Sequence, residues 1–385
     1  MRRSSTLRLG RGLRPALVLA ALLTAGPAAA IDIVVDGPET ILFDQATEAC
    51  DGSDLPDAPA RAFRNAAGEI VLFAPNFRNR AFTGPDLAHL KRDCTVRFAA
   101  SGNPDPALLD DRSWLHAFHT NDGVSIFAFA SASFIPYRHG IACDAGKERT
   151  DCWRNGLAAL RSEDGGRTFH YLGTPPEQVA FPPPEPYRSD IADPPGFISA
   201  TNIVAWRESL YTILWRRGDE EEPSRNCLAR ASANNPLAWE VLSGDAFTPA
   251  THFDGERWIA ATTACAAIDI AGQPVVRGLV FHEPSETFIA VFQRRTKEAS
   301  GFFYATSRDL VAWSEPVLLL DVDLRSDSDG THTWSAYPSL MDETSTDRNF
   351  GTIGESTALL FVRIVPRPGR PTMRQLTSVP LRVTP

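Results

Sequence analysis

Asp57 and Arg61 stand four residues apart ahead of a strand-like apolar run, and comparable polar groups open four later runs. Asp110, Asp111, Trp114 and His116 open the second, Thr201 and Asn202 the third, Arg277 the fourth, and Trp334, Ser335 and Tyr337 the fifth. If these starts meet in space, acids, amides, a histidine, arginines and aromatics line one polar cleft of sugar size. Two carboxyls facing each other roughly 6.5–9.5 Å apart can break a glycosidic bond with inversion, one activating water and the other protonating the leaving oxygen. Asp57 and Asp111 are the catalytic candidates, and Arg61, Trp114, His116, Asn202, Arg277 and Tyr337 the substrate-binding ones. Each has a plainer reading. Asp57 could be a turn aspartate before Pro59, Arg61 a surface arginine, Asp111 a turn carboxylate, and His116 a strand residue alternating with Leu115 and Ala117.

Other chemistry is weaker in the sequence. His116, His119 and His139 with Tyr137 and Arg138 could run β-elimination on a uronic acid, Arg neutralising the carboxylate while His or Tyr moves the proton. Glu283 is a further candidate for the second carboxyl if the fourth run is registered differently. The acid pairs Asp321/Asp323 and Asp327/Asp329 before Gly330 hint at calcium, but Arg325 falls where a first ligand would be and no glutamate follows at the right distance. A solvated acidic loop is expected there. No GxSxG, HExxH or phosphate-cradling glycine loop occurs, and without CxxC or HxxxH spacing a zinc site is not expected. The expectation is therefore no metal and no cofactor.

The elements that must position these groups are strands. Thirty prolines and 26 glycines are scattered through the chain, and no run of helical period persists beyond about two turns. Apolar runs such as Ile70 to Ala74, Ser125 to Ala130, Leu210 to Trp215, Thr287 to Gln293 and Leu359 to Ile364 are separated by turns such as Asn121-Asp-Gly123. Short phrases ending in an aromatic close several of them: Ser162 to Phe169, Ser307 to Pro316 and, more loosely, Cys227 to Trp239. Their spacing, on the order of 50 to 70 residues, is that of repeated four-stranded sheets. Grouping by these closures gives five units, at roughly 55–105, 113–173, 197–248, 259–320 and 334–383, and an all-β, five-bladed β-propeller of a single domain over 31–385. Residues 31–43 are expected to pair with the last unit and close the ring, with Pro175 to Pro195 as a long linker between units two and three.

Residues 1–30 read as a signal peptide: five arginines, then an apolar run from Pro15 to Ala25, then Ala28-Ala29-Ala30. Without those arginines the chain carries 33 basic against 47 acidic side chains, about −14, a poor match to nucleic acid or an anionic membrane. An oligo- or polysaccharide is the expected partner, and the expected location is secreted or periplasmic. Six cysteines in an exported chain favour disulfides. Fifteen pairings are possible, and proximity favours Cys143 with Cys152, Cys50 with Cys94 and Cys227 with Cys265.

Ser162-x-Asp164-x-Gly166-x-Thr168-Phe169 resembles the Asp-box of sialidase-like propellers. Ser307-x-Asp-Leu-x-x-Trp-Ser-x-Pro316 and the late phrases Tyr337 to Asp342, Asn349-Phe350 and Leu359 to Arg363 resemble blade endings of five-bladed glycoside hydrolases. That resemblance implies a central-pocket glycosidase of the inverting type, with Asp57 at the place of the first-blade general base and Arg61 similar to the first-blade arginine of sialidases. It departs at the acid, which those enzymes supply as a glutamate in blade three. The stretch Gly196 to Ile203 contains none, and Asn202 stands in its neighbourhood. A non-catalytic glycan-binding propeller, or a lyase on uronate-containing glycans, is the alternative.

Overall fold

Strand Ile126–Phe134 reads IFAFASASF and is buried along its whole length. Its side chains alternate between two cores. Phe127 and Phe129 enter one with Phe181, Phe197, Leu214 and Trp239, while Ile126, Ala128, Ala130 and Phe134 enter another with Phe63, Phe73, Leu115 and Phe169. A strand covered on both faces favours small or apolar residues throughout, which is why this one reads as a near-continuous apolar run broken only by Ser131 and Ser133.

The computed structural model describes residues 31–385 except 147–150, 220, 263, 325–331 and 368, and the expected signal segment and the Asp327/Asp329 loop lie outside the described residues. The described residues form an all-β chain whose sheets take a propeller arrangement. Sheet I runs Arg61–Arg64, Ile70–Phe73, Arg80–Gly84, Lys91–Val96, and sheet II runs Arg112–His119, Ile126–Phe134, Arg154–Ser162, His170–Tyr171. Sheet III extends from Gly196–Ala200 through Ser209–Arg217 to Trp258–Ala260. Sheet IV runs Val276–His282, Thr287–Arg295, Ser300–Ser307, Val317–Asp321, with Thr352–Ile353 parallel to its first strand. Sheet V contains Trp334–Met341, Ser356–Arg367 and Arg370–Thr384. The amino-terminal strands Asp32–Val35 and Thr40–Asp44 both pair antiparallel with Arg370–Thr384, tying the two ends of the described chain into one sheet.

Each sheet packs on its neighbours through its own core. Ile213 and Leu228 of sheet III meet Leu279, Phe288 and Phe292 of sheet IV. Ile289 and Val291 of sheet IV meet Leu359, Phe361 and Val379 of sheet V. Phe43, Leu360 and Leu376 of sheet V meet Ile70, Leu72 and Phe82 of sheet I. Truncating one such buried phenylalanine to alanine typically removes about 3–5 kcal/mol, so the inner ring is held by many separately strong contacts.

The aromatic closures step around the same series of cores. Phe169 lies in the core between sheets I and II, Trp239 in that between II and III, and Trp313 packs against that between III and IV. The indoles of Trp239 and Trp313 each donate to the carbonyl three residues earlier, Pro236 at 2.8 Å and Leu310 at 3.0 Å. In the Ser162 turn the hydroxyl accepts from the Gly166 amide at 2.9 Å, and Asp164 accepts from the Arg167 and Thr168 amides at 2.9 and 3.0 Å. Burial pushes the Asp164 carboxyl up, but the bonds from Thr168, Ser162 and the amides outweigh it and bring it to about 2. Gly166 has a φ of +82°, and a Cβ there would lie 2.4 Å from the Phe63 ring, so only glycine lets the turn seat against sheet I. The Ser307 turn repeats the scheme, Asp309 accepting from the Val311 and Ala312 amides at 2.9 Å each.

Two boundaries differ from the sequence expectation. Pro175 to Pro195 is not wholly linker, because Val179–Phe181 pairs with Arg154–Ser162 and fills the core between sheets II and III. Trp258–Ala260 belongs to sheet III and not to the fourth unit, since Trp258 is buried in the core between sheets II and III. The disulfides are Cys50–Cys94, Cys143–Cys152 and Cys227–Cys265, with Cα separations of 5.5, 5.7 and 5.7 Å.

Replacing Asp164 by alanine leaves two backbone amides and two hydroxyls of the turn without their acceptor. The expected loss is about 1–3 kcal/mol, read as a lower urea midpoint at unchanged slope. An unchanged midpoint would show that the turn holds itself without the carboxylate.

Candidate functional site at the inner strand edges

The first strand of each sheet ends its ladder, apart from the short parallel strand Thr352–Ile353 beside Val276–His282, and four of the five such strands carry a β-bulge. The extra residues are His116 in Arg112–His119, Ile198 in Gly196–Ala200, Arg277 in Val276–His282, and Tyr337 with Pro338 in Trp334–Met341. A bulge adds one unpaired residue, bends the strand and re-aims its side chain. Tyr337 adopts φ +61°, a left-handed conformation that is rare for an aromatic residue and is held by its surroundings. Its amide donates to Gln293 Oε1 at 2.9 Å. Beside the Arg277 bulge, Gly278 lets sheet IV approach sheet V, because a Cβ there would lie 2.9 Å from Val291 and 3.3 Å from the Ser339 backbone.

Three of these bulge residues meet side chains from sheets I and V. Arg61 donates to the Arg277 carbonyl and, at 2.9 Å, to the Ala60 carbonyl. The Arg277 guanidinium lies 5.5 Å from the Tyr337 ring centroid. Asp57 forms an ion pair with Arg374, which also donates to the Pro56 carbonyl at 3.0 Å. Arg112 stacks on the Phe77 ring at 3.3 Å and feels the Asp57 charge. Arg61 and His116 are buried, at 4% and 8% exposure. Asp57, Arg277, Tyr337 and Arg374 are partly buried.

The electrostatics follow from burial and an excess of guanidinium. Burial, with the Arg61 and Arg277 charges adding to it, pulls the His116 imidazole down to about 3, so it is neutral at physiological pH. Burial and then the Arg277 charge bring Arg61 down to about 9, still cationic at neutral pH. Burial also lowers Arg277 and Arg112. Burial and the Asp57 charge raise Tyr337 despite the two arginines beside it, so its hydroxyl keeps its proton. Burial acts to lower Arg374, but Asp57 and Tyr337 outweigh it and raise it. Arg374 pairs with Asp57 and Arg112 also feels its charge, while Arg61 and Arg277 lie against each other and against His116. Among the described residues, Arg61, Arg112 and Arg277 form no ion pair, and the Nε of each is buried without a partner.

The other sequence candidates are placed elsewhere or engaged. Asp111 is fully buried and accepts from the Ile135 amide at 3.1 Å and from Arg138, with His139 Nε2 3.1 Å away. It anchors the Pro136–His139 turn. Asn202 accepts from the Leu279 amide at 2.9 Å and donates to the Leu279 carbonyl, joining sheet III to sheet IV. Trp114 is half-buried opposite Ser131. Glu283 is exposed in a short turn. His119 lines a separate cleft of about 280 Å³ with Asn121 and Pro236. Among the described residues no group of three or more potential metal ligands occurs.

Sequence reasoning missed Arg374, Arg112 and Gln293. Arg374 and Gln293 sit on strands behind the inner ones, where no first-strand rule looks. Arg112 was within reach, since it lies between two chosen candidates. A cleft of about 750 Å³ also opens between sheets I and II, lined by Asn65, Glu69, Arg97 and Asp164 among others. Two of its charged groups already serve the fold, Asp164 in its turn and Arg97 on Asp93, and the inner cluster is the better candidate for chemistry.

No family model matches the sequence, and no curated protein matches it. Among solved structures, a protein of unknown function from Dyadobacter fermentans aligns over 92% of this chain and 99% of its own, at 11% identity and a TM-score of 0.50. That likeness is one of fold. An endo-arabinase from Bacteroides thetaiotaomicron aligns over 86% and 97% at 12% identity and a TM-score of 0.43. An α-L-arabinofuranosidase from Podospora anserina aligns over 89% and 95% at 9% and 0.46.

Two outcomes follow from the site. Asn202→Ala leaves the Leu279 amide and carbonyl unpaired at a sheet junction. It should lower stability by about 1–3 kcal/mol per orphaned group, read by urea melting. Equal stability would free Asn202 for a role in binding. His116 is depressed from 6.5 to about 3, so between those values the unfolded chain binds a proton that the folded chain refuses. Its stabilisation is complete above pH 6.5 and is lost as pH falls toward 3, by at most about 1.4 kcal/mol per pH unit. His116→Gln should flatten the fall in melting temperature between about pH 7 and 5. The same slope in both proteins would overturn the buried, neutral state of His116.

Proposed function

We propose that this chain is an exported, five-bladed β-propeller that cleaves glycosidic bonds at its centre, with residues 1–30 as its signal peptide and Asp57 as the reacting carboxylate. The observation that carries the reading is the convergence of Arg61, His116, Arg277 and Tyr337 from four inner strands with Asp57 just before the first of them and Arg374 from a rear strand. Five sheets with a core at each junction support the blade count, and three disulfides support export to an oxidising compartment.

In this reading Arg374 fixes the Asp57 carboxylate, which takes a proton from the attacking water. Inversion also needs an acid at the leaving oxygen. Asp111 is held by Arg138, His139 and the Ile135 amide, so it does not supply that proton. The Tyr337 hydroxyl keeps its proton beside Asp57 and is the group that can donate it. Tyr337 also stacks against sugar faces as aromatic residues do. The absence of a second free carboxyl among the described cluster residues favours one further reading, a propeller that binds glycans without cleaving them.

A screen for new reducing ends against plant and bacterial polysaccharides tests the proposal. Wild-type protein should release them, and Asp57→Asn should lose about 10²–10⁴-fold of the rate. Turnover that survives in Asp57→Asn would remove Asp57 from the chemistry. Glycan binding without any product would establish the second reading.

A further inference from the structure

His119 ends the inner strand Arg112–His119, three residues and roughly 10 Å along it from His116. It is 5% exposed, and both of its ring nitrogens are buried without a hydrogen-bond partner, although the Asn121 side chain and the Ala233 backbone stand near enough to act on its charge. An imidazole in that state forfeits the solvation of two polar atoms at once, so a fold that needed only packing would place an apolar ring there. The ring lines the cleft of about 280 Å³ between sheets II and III. That volume lies near the lower end of the range for small-ligand pockets, about 300–1,000 Å³, so it admits one unit of a ligand.

The lining defines the chemistry of that unit. Phe127, Leu172 and Leu237 belong to the core between the two sheets and give the cleft an apolar wall. Around it stand exposed carboxamides, Asn121 in the turn that closes the strand and Asn234 and Asn235 at a hairpin of sheet III. The charged groups at the rim are already committed. Asp122 accepts from the Val124 and Ser125 amides at 2.8 Å each, and Arg161 lies 3.1 Å from Glu163. Burial holds His119 below its usual value despite the Asp347 charge, so at physiological pH it is neutral, one nitrogen a donor and the other an acceptor. An apolar wall, committed charges and several paired donors and acceptors suit a neutral ligand with one apolar face and hydroxyls along its edges. A sugar ring has that make-up, since each hydroxyl both donates and accepts.

We propose that the cleft between sheets II and III is a second carbohydrate site, separate from the central cluster, in which His119 and the Asn121 and Asn234 amides bind hydroxyls of one neutral sugar unit laid against Phe127 and Leu237. The inference rests on the carbohydrate reading above and adds to it a site where no bond is broken. Asp122, the carboxylate lining the cleft, is taken up by its turn, so the site holds a glycan and does not cut it. Asn235 gives its oxygen to the Leu237 amide at 3.1 Å, which leaves hydroxyl recognition to the other two amides and the imidazole. A glycan long enough to reach both sites binds more tightly than either site alone allows, because the second contact forms within one complex.

Calorimetric titration of the mature protein with neutral trisaccharides of arabinose, xylose, galactose and mannose tests this, with a galacturonic acid trimer as the acidic control. At least one neutral trimer should bind. His119→Phe, which keeps a ring in place and removes both nitrogens, should weaken it about tenfold. Asn234→Ala, at an exposed hairpin position, should weaken it several-fold and keeps the proposal testable if His119→Phe melts early. Unchanged affinity in both variants would overturn the inference, and reducing ends still released by the wild type would then leave the carbohydrate reading standing without it. Binding lost in both variants, with no product from any glycan, would support the cleft and overturn cleavage at the centre. A preference for the acidic trimer that His119→Phe abolishes would overturn a neutral sugar as the ligand, and no binding of any neutral trimer would overturn the site itself.

Discussion

Among the described residues, four of the five sheets end at their first strand in an edge without a ladder partner, and the fourth sheet's first strand is met there only by the short strand Thr352–Ile353; an edge strand carries backbone donors and acceptors that must find partners. Carboxamides do much of that work. Asn79 accepts from the Leu115 amide at 2.8 Å and donates to the Ser113 carbonyl at 2.9 Å, tying sheet I to sheet II. Asn202 does the same for Leu279. Asn349 accepts from the Thr120 amide at 2.7 Å and donates to its carbonyl at 3.1 Å. An amide side chain copies the backbone peptide, donor and acceptor together, so one residue satisfies an edge position as a further strand would. The apolar cores hold the sheets face to face, and these amides fix how far each edge advances.

With the edges fixed, the bulges decide what occupies the space between them. A regular strand sends alternate residues into its two covered faces, both already filled by apolar side chains. An extra residue belongs to neither face, so it can hold a charged or polar group without displacing either core, as Arg61 and Arg112 do from the strand starts. His116, Arg277 and Tyr337 sit at such positions, and Ile198 shows that the same device can present an apolar group in sheet III. Packing and chemistry are separated within a single strand, which lets the cores stay dense while the site is polar.

The sequence made the fold legible because turn chemistry and apolar runs are local. Ser162 to Phe169 and Ser307 to Trp313 carry their own hydrogen bonds within a few residues, and a reader can count them. The cysteine pairings were legible for the same reason, since each links segments close in the chain. Arg61, His116, Arg277 and Tyr337 were picked out by their place at strand starts, and they do meet. Asp111 and Asn202 met the same rule, but their side chains are used by the Ile135 and Leu279 amides, partners 24 and 77 residues away. Arg374 was invisible because it reaches Asp57 from a rear strand across 317 residues. A bulge leaves no mark in composition or spacing, since it is a register shift set by the partner strand.

A chain of strongly negative net charge that concentrates guanidinium groups at its centre sets two fields against each other. Beyond about 8–10 Å at ordinary salt the acidic exterior is largely screened, so it does little to offset the charge of the inner arginines. Inside, where water is scarce, the arginines act at short range with little screening. Lysine would not serve equally in that position, because a buried ammonium sheds its proton readily, whereas guanidinium remains charged even when Arg61 is drawn down to about 9. The destabilisation that such a cluster brings is tolerable only because the neighbouring cores are large and independent of it. The phenylalanine-lined junctions between the sheets are thus what allow an unbalanced charge to persist at the middle of the ring.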